Sequence, residues 1–88
     1  DYDLELLLGD IYLDKNEHIE AESHYRKASF MCPYRFTPLS KIYSLYRRIG
    51  DGKEATAMAQ LILEKPIKIQ SNTIDFIKAQ VRRDLELK

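Results

Sequence analysis

Apolar positions recur along this chain at helical spacing and are cut into five stretches by Gly, Pro and short polar runs. The first stretch, about 4–13, places Leu4, Leu8, Ile11 and Tyr12 on an expected inward face. Leu6, Leu7 and Leu13 make it apolar nearly all round. Asp14-Lys15-Asn16 reads as a turn, with Asn16 as N-cap of a second helix over about 17–31. That helix lines up Ile19, Ala21, Tyr25 and Ala28, and Phe30 and Met31 close its end. After a Pro-flanked link, Thr37 caps and Pro38 opens a third helix, about 38–48, with Leu39, Ile42, Tyr43 and Tyr46 inward. Asp51-Gly52-Lys53-Glu54 is a capping box with Asp in the leading place. It starts a fourth helix, about 52–64, that turns Ala55, Met58, Ala59 and Ile62 inward. Pro66 stops it, and Lys65 to Gln70 is expected to lie extended along the hairpin. Ser71 or Asn72 caps a fifth helix, about 73–87. Its stripe of Ile74, Ile77, Val81 and Leu85 is narrow, and Phe76 lies off it.

The pattern repeats. Leu8, Gly9 and Tyr12, then Ala21, Tyr25 and Ala28, then Pro33 describe two helices in close contact, Gly9 letting a neighbour approach. Adding 34 to these positions gives Ile42, Tyr43 and Tyr46, then Ala55, Ala59 and Ile62, with Pro66 one place early. Tyr12 and Ala21 recur in register. Tyr43 in place of Gly9 and Ala59 in place of Tyr25 exchange small for large.

The spacing resembles the tetratricopeptide repeat, W-x2-L-G-x2-Y…A-x3-F…P. The resemblance implies an all-α fold: two helical hairpins, residues 2–35 and 36–69, and a C-terminal capping helix, residues 70–88. Together they form one domain, a right-handed α-solenoid fragment. It also implies a groove, lined by the first helix of each hairpin, that grips a protein or peptide partner. By that resemblance the groove holds Leu6, Asp10, Leu13, Lys41, Ser44, Arg47 and Arg48, with Lys78 and Arg82 added by the last helix. Leu6 and Asp10 stand where relatives that clamp a C-terminal carboxylate need Lys and Asn, so that ligand class is not expected.

The 88 residues suit one small domain. No apolar run approaches the roughly 20 residues that span a bilayer, so no membrane insertion by this segment is expected. Net charge is zero, but residues 1–29 carry eight acids and three bases, a balance of −5, and residues 30–88 carry six acids and eleven bases, a balance of +5. The basic half has no aromatic-interleaved patch, so no nucleic acid is expected. The single Cys32 allows no internal disulfide and reads as a structural thiol. His18 and His24, six apart, face different ways and read as surface residues. No catalytic constellation, cofactor loop or metal set is expected within these residues. The greasy first helix implies a neighbour, either upstream in a longer chain or in a homodimer.

A narrower resemblance covers about residues 25–85: Pro33-Tyr34-Arg35-Phe36-Thr37-Pro38-Leu39, then Leu45-Tyr46, Gly50-Asp51, Glu54-Ala55, Met58-Ala59, Ile62-Leu63-x-Lys65 and Lys68-Ile69-x-Ser71. This is similar to the soluble C-terminal tail of O-antigen ligase or polysaccharide polymerase membrane proteins of Bacteroidetes. It implies a non-catalytic tail of a bacterial inner-membrane protein, docking a partner or the membrane portion of its own chain, with the active site elsewhere. The start at Asp1, without Met, fits a piece of a longer protein. A free-standing adaptor, or a fragment of a longer soluble repeat array, is the alternative.

Overall fold

The computed structural model describes residues 1–68 and 70–86 and is all-helical over them: α1 Tyr2–Asp14, α2 His18–Met31, α3 Thr37–Arg48, α4 Gly52–Glu64 and α5 Asn72–Glu86. The expected positions of Ile69 and Leu87 lie outside the described residues. Each helix packs mainly on its neighbours in sequence: α1 on α2, α2 on α3, α3 on α4 and α4 on α5.

Local chemistry explains the boundaries. Asp1 accepts from the Leu4 amide at 2.7 Å, Asp51 from the Glu54 amide at 3.1 Å, and Ser71 from the Ile74 amide at 3.2 Å, each satisfying a donor left free in a first turn. Thr37 is not a cap: α3 begins on it, with Phe36 at the cap position and Pro38 just inside the start. Asn16 is not an N-cap either. It sits at φ 62° after the end of α1, in the left-handed region that Asn tolerates.

That turn recurs. Gly50, 34 residues on, has φ 79°. The Asn16 amide donates to Leu13 O at 2.9 Å and that of Glu17 to Tyr12 O at 2.9 Å; the Gly50 amide donates to Arg47 O at 3.2 Å and that of Asp51 to Tyr46 O at 2.9 Å. All four bonds close helix ends by returning to late carbonyls. The two inner turns are therefore one backbone device used twice, at the spacing of the apolar pattern.

The core runs through all the joints: Ala21 and Tyr25 of α2, Phe36, Leu39, Ile42, Tyr43, Leu45 and Tyr46 around α3, Ala55, Met58, Ala59 and Ile62 of α4, and Ile77 and Val81 of α5. Several expectations fail here. Ile19 is exposed, while Phe36, read as a linker residue, is buried. On α1 the inward residues are Leu6, Gly9, Tyr12 and Leu13, whereas Leu4 and Ile11 face out.

Gly9 sets the α1–α2 distance. A Cβ there would lie 2.4 Å from Cε1 of Tyr25 and 2.6 Å from Cδ1, inside any real contact. The Tyr25 ring is fully buried and has nowhere to retreat. Gly9→Ala should therefore lower unfolding free energy in urea: roughly 1–3 kcal/mol of overpacking outweighs the roughly 1 kcal/mol that Ala gains over Gly in a helix. Unchanged or raised stability would show that the two helices do not meet at Gly9.

Candidate functional site

α1, α3 and α5 present one side each to a common recess of about 390 Å³. Asp10 and Leu13 come from α1, Thr37, Ser40, Lys41 and Ser44 from α3, Thr73 and Ile77 from α5, and Tyr25 reaches in from α2. The i, i+4, i+7 spacing of Thr37, Lys41 and Ser44 keeps them on one helical side, as does the i, i+4 spacing of Thr73 and Ile77. A second recess of about 330 Å³ is lined by Tyr43, Ser44, Arg47, Arg48, Gln80 and Asp84. Ser44 lines both, so the two form one groove.

Polar contacts stiffen its walls. The Tyr25 hydroxyl donates to Asp10 Oδ1 at 2.5 Å, and Lys41 Nζ donates to both Asp10 oxygens at 3.0 and 3.2 Å. Burial raises the Tyr25 phenol well above its ordinary value, and the bond to Asp10 adds to this, so it stays a donor. Lys41 also lies 5.8 Å from the Tyr25 ring centroid. Asp10 thus joins α1, α2 and α3, and its charge is answered by Lys41.

In the second recess, Arg47 pairs with Asp84 at 2.5 Å and the Tyr43 hydroxyl donates to the same oxygen at 2.8 Å. Burial pushes the Asp84 carboxyl up, but the bonds from Arg47 and Tyr43 outweigh it and the net shift is downward. Arg47 is therefore engaged in one of the contacts between α3 and α5 and is not an unengaged groove cation. Arg48 is exposed and, among the described residues, has no ion-pair partner.

The structure brings Asp10, Leu13, Lys41, Ser44, Arg47 and Arg48 together along this groove. Leu6 packs against the core instead. Arg82 is exposed on α5 and lines neither recess. Lys78 is a correction. It is buried, its Nζ donating to the carbonyls of Leu63 at 3.2 Å and Lys65 at 3.1 Å, 5.3 Å from the Phe36 ring centroid. It caps the C-terminal end of α4, where free carbonyls and the helix dipole favour a cation. The side that α5 gives the groove is Thr73, Ile77, Gln80 and Asp84, none of them expected from sequence.

His24 is also not a surface residue. Its ring stacks on Tyr12, centroids 5.3 Å apart and planes 5° from parallel, and Nδ1 donates to Glu5 at 2.6 Å. It clamps α1 to α2. Among the described residues no three His, Cys, Asp or Glu side chains are gathered to hold a metal ion, and no helix is long and apolar enough to cross a membrane. Comparison with known protein families, with curated proteins and with solved structures finds no match to this chain.

Three carboxyls have lowered folded-state values: Glu5 through the His24 bond, and Glu22 and Asp84 through bonds that overcome burial. A lowered value stabilises the fold above the unfolded-state range, and that contribution is lost as pH falls through it. Urea unfolding should show stability falling on acidification through the carboxylate range. Asp84→Asn should be less stable at neutral pH and show a shallower fall. A variant as steeply acid-sensitive as the parent would remove Asp84 from the account.

Proposed function

We propose that this chain is a non-catalytic protein-protein interaction module of the tetratricopeptide type: two hairpins and a capping helix in a right-handed solenoid arc, gripping an extended peptide in the groove of α1, α3 and α5. The observation that carries the reading is the groove itself, built from alternate helices and floored by the Asp10–Lys41–Tyr25 contacts. The 34-residue recurrence of the inner turns supports the repeat.

The groove's chemistry describes its ligand. Thr37, Ser40, Ser44 and Thr73 offer hydroxyls, Leu13 and Ile77 an apolar seat, and Arg48 an exposed guanidinium at one end, without an ion-pair partner among the described residues. An extended segment fits, with a small apolar side chain at Leu13 and Ile77 and a carboxylate at Arg48. Charge-assisted bonds of that kind are roughly twice as strong as neutral ones. In the setting that the resemblance over residues 25–85 implies, the module is the soluble tail of an inner-membrane O-antigen ligase or polysaccharide polymerase. The same groove serves a free-standing adaptor or a piece of a longer soluble array, and the size and membrane fraction of the native protein separate these settings.

The test is a displayed random-peptide library, followed by fluorescence anisotropy on the best binder. Selected peptides should share an acidic residue. Arg48→Glu should weaken binding about tenfold or more, and Ser44→Trp, which fills the junction of the two recesses, should abolish it. Both changes are exposed and should leave melting nearly unchanged. Arg47 is unsuitable for this test because its ion pair with Asp84 belongs to the contact between α3 and α5, so its loss would mix binding with folding. Equal binding by parent, Arg48→Glu and Ser44→Trp would overturn the groove as the binding surface.

A further inference from the structure

The groove does not end at Thr37. A further recess of about 320 Å³ opens beyond it, between the link from α2 to α3 and the start of α5. Thr37 and Thr73 line this recess and the central one alike, just as Ser44 lines both the central one and the recess of Arg48. One channel therefore follows α3 from Arg48 to Arg35, which lines the far recess with Ser71 and Ile74. Its charges are answered in the middle and unanswered at the ends. In the central recess Lys41 Nζ lies 3.0 Å from Asp10 Oδ1, and beside Arg48 the second cation, Arg47, pairs with Asp84. Among the described residues, Arg35 is the one charged side chain that lines the far recess. It is exposed, and neither it nor Arg48 has an ion-pair partner among those residues. The Arg35 guanidinium lies 5.0 Å from the Tyr2 ring centroid, a contact that restrains the side chain without neutralising it. Asp75, two residues past Thr73, projects from another side of α5, where Gln70 Nε2 donates to it at 2.7 Å.

Resting on the reading of this groove as a peptide site, we infer that its partner carries two acidic residues at a fixed spacing. One carboxylate sits on Arg35 and one on Arg48, with the apolar residue between them on Leu13 and Ile77. The length of α3 sets the spacing. A helix rises about 1.5 Å per residue, so Thr37 and Arg48 stand about 17 Å apart, and the step back to Arg35 brings the separation to about 20 Å. An extended peptide advances about 3.3 Å per residue, so its two acids lie about five or six positions apart. A closer pair reaches one arginine only. A helical ligand, rising about 1.5 Å per residue, would need the acids roughly twice as far apart in sequence. Guanidinium–carboxylate bonds at both ends fix the register of the peptide, which a single cation leaves free to slide.

Fluorescence anisotropy tests this with synthetic Ser-rich peptides that carry a central Val and two Glu residues at increasing separation. Affinity should peak at a separation of about five or six and exceed that of a single-Glu peptide about tenfold. Arg35→Glu and Arg48→Glu should each remove that peak, and circular dichroism checks that both variants remain helical. Replacing one Glu of the best peptide by Lys should restore binding to Arg35→Glu, and replacing the other should restore it to Arg48→Glu. That pairing of ends also gives the direction of the peptide. A flat dependence on separation would overturn the two-anchor ligand. So would Arg35→Glu binding as the parent does while Arg48→Glu binds weakly, and either result leaves the groove itself standing. Peptides that bind the parent and Ser44→Trp equally, or that bind neither, would overturn the groove and this inference together.

Discussion

The fold rests on the absence of one side chain. Gly9 lets the Tyr25 ring lie where a Cβ would stand, which brings α1 against α2 closely enough for the Tyr25 hydroxyl to reach Asp10. Asp10 then meets Lys41 of α3. Three helices are located by one close approach and two polar contacts, and the floor of the groove is the same set of atoms. The rigidity of the site and the packing of the first hairpin are therefore one property. The Glu5–His24–Tyr12 clamp holds the other side of that joint, and Glu22, Arg26 and Tyr46 hold α2 to α3.

The second hairpin reverses the sizes. Tyr43 stands at the position of Gly9 and Ala59 at that of Tyr25, and both are buried. The large ring now comes from the first helix of the pair, and its hydroxyl points onward to Asp84 instead of back across the hairpin. This is how α5 acquires its place: Tyr43 and Arg47 grip Asp84 near its end, while Lys78 caps the carbonyls at the end of α4. The exchange conserves bulk in the core and redirects the polar contact to the next helix.

Helix number, approximate boundaries and the spacing of 34 were legible because they follow from apolar periodicity and from turn residues, which act locally. The outward positions of Leu4, Ile11 and Ile19 were not, because a helix apolar all round does not say which side has a neighbour. Asn16 carried a signal for either helix end, and only its φ of 62° decides between them. Lys78 was misplaced by its charge. Its spacing from Ile74 and Val81 puts it on the apolar stripe, and that spacing was the better guide. Arg47, Arg48 and Ser44 were legible as groove residues, but Asp84 as the partner of Arg47 depends on how α5 docks, 37 residues away in sequence.

The central claim is that the side shared by α1, α3 and α5 is where a partner binds. The most direct measurement is amide chemical-shift mapping by NMR while an acidic peptide selected on the protein is titrated in. The account predicts shifts concentrated at Leu13, Ser40, Ser44, Arg48, Thr73 and Ile77. The opposite side has an apolar recess of about 400 Å³ lined by Phe30, Pro33, Leu39 and Leu61. Shifts concentrated there, with the groove amides unmoved, would contradict the account and transfer the binding surface to α2 and α4.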